Sequence, residues 1–140
     1  MDEIMHGGAF SRPVRRGSTV ERDAGPGSAN VQALLRHFEA VGFDLAPRYL
    51  GSSPDGSRET LSFIAGETGF PPYSPAHISD EALADVARAI RAAHDATAGF
   101  VPVDAEAWGG LEVAVPVRID CVGHHDLTPW NIVFDGSRVA

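Results

Sequence analysis

The sequence predicts an α+β fold: a small antiparallel sheet carrying one helix, followed by a mainly helical part. Three observations lead there. Two turn-centred hairpin signals, at Gly17-Ser18 and at Pro54-Asp55-Gly56, flank an amphipathic stretch over residues 31–41. A Gly- and Pro-rich break over 65–77 interrupts that pattern. A second amphipathic stretch then runs over 80–97.

The elements follow in order. In 14-VRRGSTVER-22 two short runs flank Gly17-Ser18, and glycine at the first loop position suits a tight type II′ turn. Alternation puts Val20 and Arg22 on one face of the second strand, Thr19 and Glu21 on the other. Val31, Leu34, Leu35, Phe38 and Val41 recur at helical spacing, with Ser28 and Asn30 as candidate N-caps and Gly42 as the terminating glycine. Residues 48–64 form the second hairpin, because Pro54 presets φ and Gly56 tolerates positive φ. In the second helix Ser79 is the cap, and Asp80 and Glu81 favour the positive helix end. Its expected apolar stripe is Leu83, Val86, Ala87, Ile90 and Ala93 or His94. The run 113-VAVPVRI-119 alternates, but Pro116 argues against a central strand. Residues 132–140 resemble a hairpin around Asp135-Gly136 with a short second strand. The expected organisation is an N-terminal lobe over 1–66, a linker over 67–78 and a partial C-terminal lobe over 79–140.

Composition narrows the function classes. At 140 residues and 44% hydrophobic content the chain supports one modest core or two small lobes. Eleven basic against 19 acidic side chains leave a net charge of −8, which does not suit a nucleic-acid partner and does suit a cationic one. The single Cys121 allows no internal disulfide and fits a reducing compartment. The N-terminus has no apolar run of signal length and no stretch is long enough to span a bilayer, so a cytoplasmic protein without a membrane partner is expected.

The chemistry is concentrated in 123-GHHDLTPWN-131. Phosphoryl transfer requires an in-line acceptor hydroxyl and neutralised phosphate charge. Asp126 would accept or orient the hydroxyl proton, and Asn131, five positions on, would offer an amide oxygen to Mg2+, a hard cation. His124 would brace the loop. Plainer readings stand beside these. The motif could be a polar turn before a strand, Arg22 an exposed strand arginine, and Gly7-Gly8 a terminus without ligand. Cys121, His124 and His125 have zinc-ligand types but lack a second ligand pair at zinc spacing.

The stretch 122-VGHHDLTPWNIVFDG-136 resembles the catalytic loop of the aminoglycoside phosphotransferase family, which is related to choline kinases and has a protein-kinase-like fold. That loop commonly reads His-Gly/Asn-Asp-Leu-x-x-x-Asn, then an apolar strand and an Asp-Gly turn. The stretches 17-GSTVERDAGP-26, 33-ALLRHFEAVGFDLAPRYLG-51, 59-ETLSFIAGE-67 and 91-RAAHDATAGF-100 resemble other family segments in the same order, so the resemblance runs over nearly the whole chain except the poorly patterned 101–120. The resemblance implies an ATP- and Mg2+-dependent phosphotransferase acting on a hydroxyl of a small molecule. Asp126 is then the catalytic aspartate and Asn131 the magnesium-binding asparagine. Arg22 falls where the family places a cation near the nucleotide phosphates, Gly7 and Gly8 near the nucleotide-covering hairpin, and Ser62, Phe63 and Ile64 at the adenine-facing hinge.

Two departures qualify this. The family's cation often pairs with a helix glutamate, yet Val31-Gln32 supplies none, and Gln32 is expected to reach Arg22 only through a hydrogen bond. The family also places a second magnesium-binding aspartate on the strand after the Asp-Gly turn, and none occurs by Ala140. The expectation is an amino-terminal portion of a phosphotransferase, inactive alone and inclined to self-associate. The alternative is a non-catalytic remnant that binds nucleotide or a partner.

Overall fold

The structure, a computed structural model, describes residues 2–5, 13–104 and 120–140. Among the described residues it contains two antiparallel sheets and two α-helices. The first sheet has strands β1 (Asp2–Ile4), β2 (Val14–Arg16), β3 (Thr19–Asp23), β4 (Tyr49–Ser52) and β5 (Arg58–Ser62), in the order β1-β2-β3-β5-β4. The second has β6 (Glu67–Thr68), β7 (Val133–Asp135) and β8 (Arg138–Val139), in that order. Helix α1 spans Ser28–Val41 and α2 spans Asp80–Ala96.

Both predicted hairpins form. Gly17 takes φ +63° and is followed by Ser18 at negative φ, as a type II′ turn requires. In the β3–β5 ladder Val20 lies opposite Leu61 and Arg22 opposite Glu59. This inward face meets α1, where Leu35, Phe38 and Leu61 make the first apolar cluster, joined at its margin by Val31 and Tyr49. The opposite face is held by charge: Arg58 reaches Glu21 at 2.9 Å and Asp23 at 2.8 Å.

Helix α1 starts earlier than its apolar periodicity suggests. Gly27 occupies the N-cap position, and Ser28 uses its hydroxyl to accept from the Gly25 N–H at 2.8 Å. Asn30 caps nothing. It lies inside the helix, 1% exposed, donating to the Asp104 carbonyl at 2.6 Å and accepting from the Asp104 N–H at 2.9 Å. The main chain of Asp104, 74 residues away in sequence, engages the Asn30 side chain in place of a local cap, which periodicity has no means of showing. Gly42 ends the helix at φ +76°, and the Phe43 N–H closes back on the Phe38 carbonyl at 2.9 Å.

The second apolar cluster is Ala82, Ile132 and Phe134, with Val86 and Val139 packed against it. Ser79 caps α2 as expected, accepting from the Ala82 N–H at 3.1 Å. The buried stripe is rotated from the expected one: Ala82 is fully buried while Leu83 is 61% exposed. The reason is close packing of the β7–β8 hairpin, which only a small side chain admits. The stretch expected to be linker begins with a strand, since Glu67 and Thr68 pair with Phe134 and Val133. Gly66, at φ +145°, permits this, because a Cβ there would stand 2.5 Å from the Phe134 carbonyl oxygen. The short second strand at the chain's end does form, and the Val139 N–H on its outer edge donates to Asp85 of α2 at 2.8 Å.

Candidate active site

The loop carrying Asp126 is tied at both ends. On the near side Thr97, at the end of α2 and 2% exposed, donates to the His94 carbonyl at 3.1 Å and accepts from the Val122 N–H at 3.0 Å. On the far side a single 3₁₀ turn, Pro129–Asn131, feeds Ile132 and Phe134 into the second apolar cluster. Gly69 is packed against this turn: its N–H donates to the Pro129 carbonyl at 3.0 Å, and a Cβ would lie 2.7 Å from Pro129 Cβ. The neighbouring rings of Phe70 and Trp130 are 6.4 Å apart, both part-exposed.

Within the loop, Asn131 Nδ2 donates to the main-chain oxygen of Asp126 at 2.9 Å and to its carboxylate Oδ2 at 2.9 Å. The nitrogen end of the carboxamide is thereby engaged, and the oxygen end turns away from Asp126. The Asp126 N–H donates to His124 Nδ1 at 3.3 Å, which puts the ring proton of a neutral His124 on Nε2. His125 takes φ +61°, the left-handed region, where Gly and Asn are the easy residues. Asp126 and Asn131 are both solvent-exposed. The Thr128 hydroxyl oxygen is buried without a hydrogen-bond partner among the described residues.

Arg22 belongs to a second group. Its Nε and Nη2 each lie 2.7 Å from Glu59 Oε1, and Gln32 Nε2 donates to Glu59 Oε2 at 3.0 Å. Gln32 thus bonds to Glu59, not to Arg22 as the sequence suggested. Glu59 was overlooked in the sequence, although its alternation with Leu61 places it on the inward face of β5.

The expected hinge residues lie at the end of β5. Ser62 donates its N–H to the Arg48 carbonyl at 2.9 Å, and its hydroxyl accepts from the Arg48 N–H at 2.8 Å. The Phe63 N–H donates to the Ser18 carbonyl at 2.8 Å, and the Phe63 ring lies under the Arg15 guanidinium, 3.7 Å from its centroid. Ile64 follows, half-buried. Gly7, Gly8 and the run 113–119 lie outside the described residues.

Asp126, Asn131 and His124 are therefore brought together, and Arg22, Glu59 and Gln32 are brought together. The two groups share no hydrogen bond or ion pair among the described residues. Two surface depressions lie elsewhere: one of about 450 Å³ between α2 and Asp120-Cys121, the other of about 310 Å³ between α2 and β8. No cluster of three or more His, Cys, Asp or Glu able to hold a metal occurs among the described residues. The Asp126 carboxylate and the Asn131 amide oxygen are hard donors of the kind magnesium takes, but the carboxamide turns its nitrogen, not its oxygen, to Asp126.

The fold matches a choline/ethanolamine kinase family protein from Mesorhizobium loti with a TM-score of 0.55 at 23% identity, covering 73% of this chain and 33% of that one. That likeness shows a kinase-like fold of mixed helix and antiparallel sheet. A curated relative is nearer in sequence: the trifolitoxin immunity protein of Rhizobium leguminosarum bv. trifolii is 42% identical over 137 residues, 94% of this chain. The chain spans about half the length of that relative (50%). No protein-family model matches. No helix among the described residues is long and apolar enough to cross a membrane.

Proposed function

We propose that this chain carries the nucleotide-binding and catalytic-loop part of an ATP-dependent phosphotransferase that phosphorylates a hydroxyl of a small molecule, in the manner of the aminoglycoside phosphotransferases. The observation that carries the reading is the Asp126–Asn131 clamp, set in a kinase-like fold. Asp126 takes the proton of the acceptor hydroxyl as its oxygen bonds to the γ-phosphorus, and the bond from that phosphorus to the ADP oxygen breaks. Asn131 holds the loop by its amide nitrogen and keeps its oxygen for Mg2+. When bound, that ion supplies charge neutralisation at the phosphates. Arg22 offers its outward guanidinium edge to the phosphates, and residues 62–64 face the adenine.

The relative's name suggests the biological setting. If its immunity function extends to this chain, the acceptor is a toxic small molecule or peptide bearing a hydroxyl, and the net charge of −8 favours a cationic one. The test is transfer of labelled γ-phosphate from ATP to a panel of hydroxylated antibiotics and cationic peptides, using a chain extended to the relative's length. Transfer that disappears in Asp126→Asn supports the proposal. Nucleotide binding without transfer to any acceptor would mean that the mechanism is wrong.

A second reading is a nucleotide-binding or interaction module without catalysis. It is favoured by the sparse donor set: no cluster of three or more His, Cys, Asp or Glu able to hold a metal occurs among the described residues. Magnesium-dependent ATP binding by residues 1–140 without turnover would support it, and Asp126-dependent transfer by the same fragment would exclude it.

A further inference from the structure

We infer that Glu59 on β5 is the positioning acid for the phosphate-facing cation Arg22, with Gln32 linking α1 to the same carboxylate. The inference rests on the nucleotide reading above and extends it. A cation that must meet phosphate cannot be left to wander, because a free arginine spreads over many rotamers. The expected partner, a glutamate of α1 near Val31-Gln32, is absent here, and the helix's own Glu39 pairs with Arg48. The structure supplies the acid from the neighbouring strand instead, directly opposite Arg22 in the β3–β5 ladder.

The geometry is specific. Glu59 is 1% exposed, yet both its oxygens are satisfied: Oε1 by Nε and Nη2 of Arg22, Oε2 by the amide of Gln32. The Arg22 side chain is 33% exposed, so the acid is sealed while part of the cation stays open to solvent. A pair serving stability alone gains nothing from that asymmetry, since apolar residues fill such a space at least as well. Because Gln32 sits on α1, the position of the helix is relayed through Glu59 to the guanidinium.

The experiment is calorimetric titration of the chain with MgADP, accompanied by melting curves, for wild type, Arg22→Ala, Glu59→Gln, Gln32→Ala and the exchange Gln32→Glu/Glu59→Gln. Losing a charged hydrogen-bond partner should weaken binding about tenfold or more in Glu59→Gln. That loss should vanish in the Arg22→Ala background, as expected for residues acting through one another. The exchange should recover most of the affinity by returning one carboxylate to the relay. Gln32→Ala, at a half-buried site, tests the helix link if Glu59→Gln fails to fold: it leaves Glu59 Oε2 without its amide partner, so it should weaken MgADP binding and lower the melting temperature as well. Wild-type binding that persists within about twofold in Glu59→Gln and Gln32→Ala, or losses that simply add to that of Arg22→Ala, would overturn the inference. Absence of MgADP binding in the wild type would overturn the nucleotide reading itself, and the inference with it.

Discussion

His125 shows how one backbone angle explains a sequence pattern. Its φ of +61° is costly for a side chain with a Cβ, and the family loop that this stretch resembles commonly has Gly or Asn there. His125→Asn should therefore fold with equal or greater stability, while His125→Val, β-branched, should lose about 1–3 kcal/mol in denaturant titrations. Equal stability of the two variants would remove the strain argument. Gly69 makes the complementary case, where space and not torsion decides. A methyl group 2.7 Å from Pro129 Cβ cannot be accommodated without moving backbone, so Gly69→Ala should destabilise by about 1–3 kcal/mol in the same titrations. Because the displaced atoms belong to the turn ending in Asn131, the same variant should weaken MgADP binding. That Asp126, Asn131 and His124 lie together was legible in the sequence because their fixed spacing falls within one loop. Glu59 and Thr97 were not, since their partners come from other elements.

At the scale of elements, the β4–β5 hairpin carries a pH-dependent contribution. Hydrogen bonds from Ser53 and then Ser57 hold the Asp55 carboxyl at about 2, below its ordinary 3.8. A folded-state value below the unfolded one stabilises the fold above the unfolded value, and that gain is lost as pH falls through the folded one. Asp55→Ala should thus melt below wild type at neutral pH, and the gap should narrow as pH falls from about 5 to about 2. A gap independent of pH would show that the turn is held by something other than the charge. Asp85 is also held below the ordinary carboxylate range, first by the Val139 N–H and then by Arg88, so α2 grips β8 most firmly with Asp85 ionised. Thr97 ties α2 to the loop that carries Asp126 through one hydroxyl. Thr97→Val keeps its shape but strands the Val122 N–H, and should cost about 1–3 kcal/mol in chemical unfolding. Thr97→Ser should retain most of the stability.

Across the molecule, two small apolar clusters hold two sheets, and several large apolar side chains remain on the surface. Leu83 is 61% exposed, Ile78 55% and Phe70 49%. Surface of this kind promotes association. Light scattering of the 140-residue chain should show mass rising with concentration, and Leu83→Glu should reduce the rise. A monomer at all concentrations would refute this. The edge of β8 is partly closed to pairing, because Asp85 already occupies the Val139 N–H. The two sheets are not independent: His37 of α1 donates to the Ala96 carbonyl at the end of α2 at 2.8 Å, and Asn30 binds Asp104.

What the sequence determined by itself is local. Turn chemistry at Gly17-Ser18 and Pro54-Gly56, helical periodicity in α1 and α2, the Ser79 cap and the Asp126–Asn131 spacing are all encoded within a few residues, where sterics and hydrogen bonding act without regard to the rest of the chain. Only the tertiary structure decided that Glu59 meets Arg22 and Gln32, that Asn30 leaves its capping role for Asp104, that Leu83 faces outward while Ala82 is buried, and that Gly66 and Gly69 let a strand pass where a linker was expected. Each of these depends on which segments lie side by side. That choice is made by packing and by the need to satisfy buried polar groups across long stretches of chain, and neither leaves a periodic mark in the sequence.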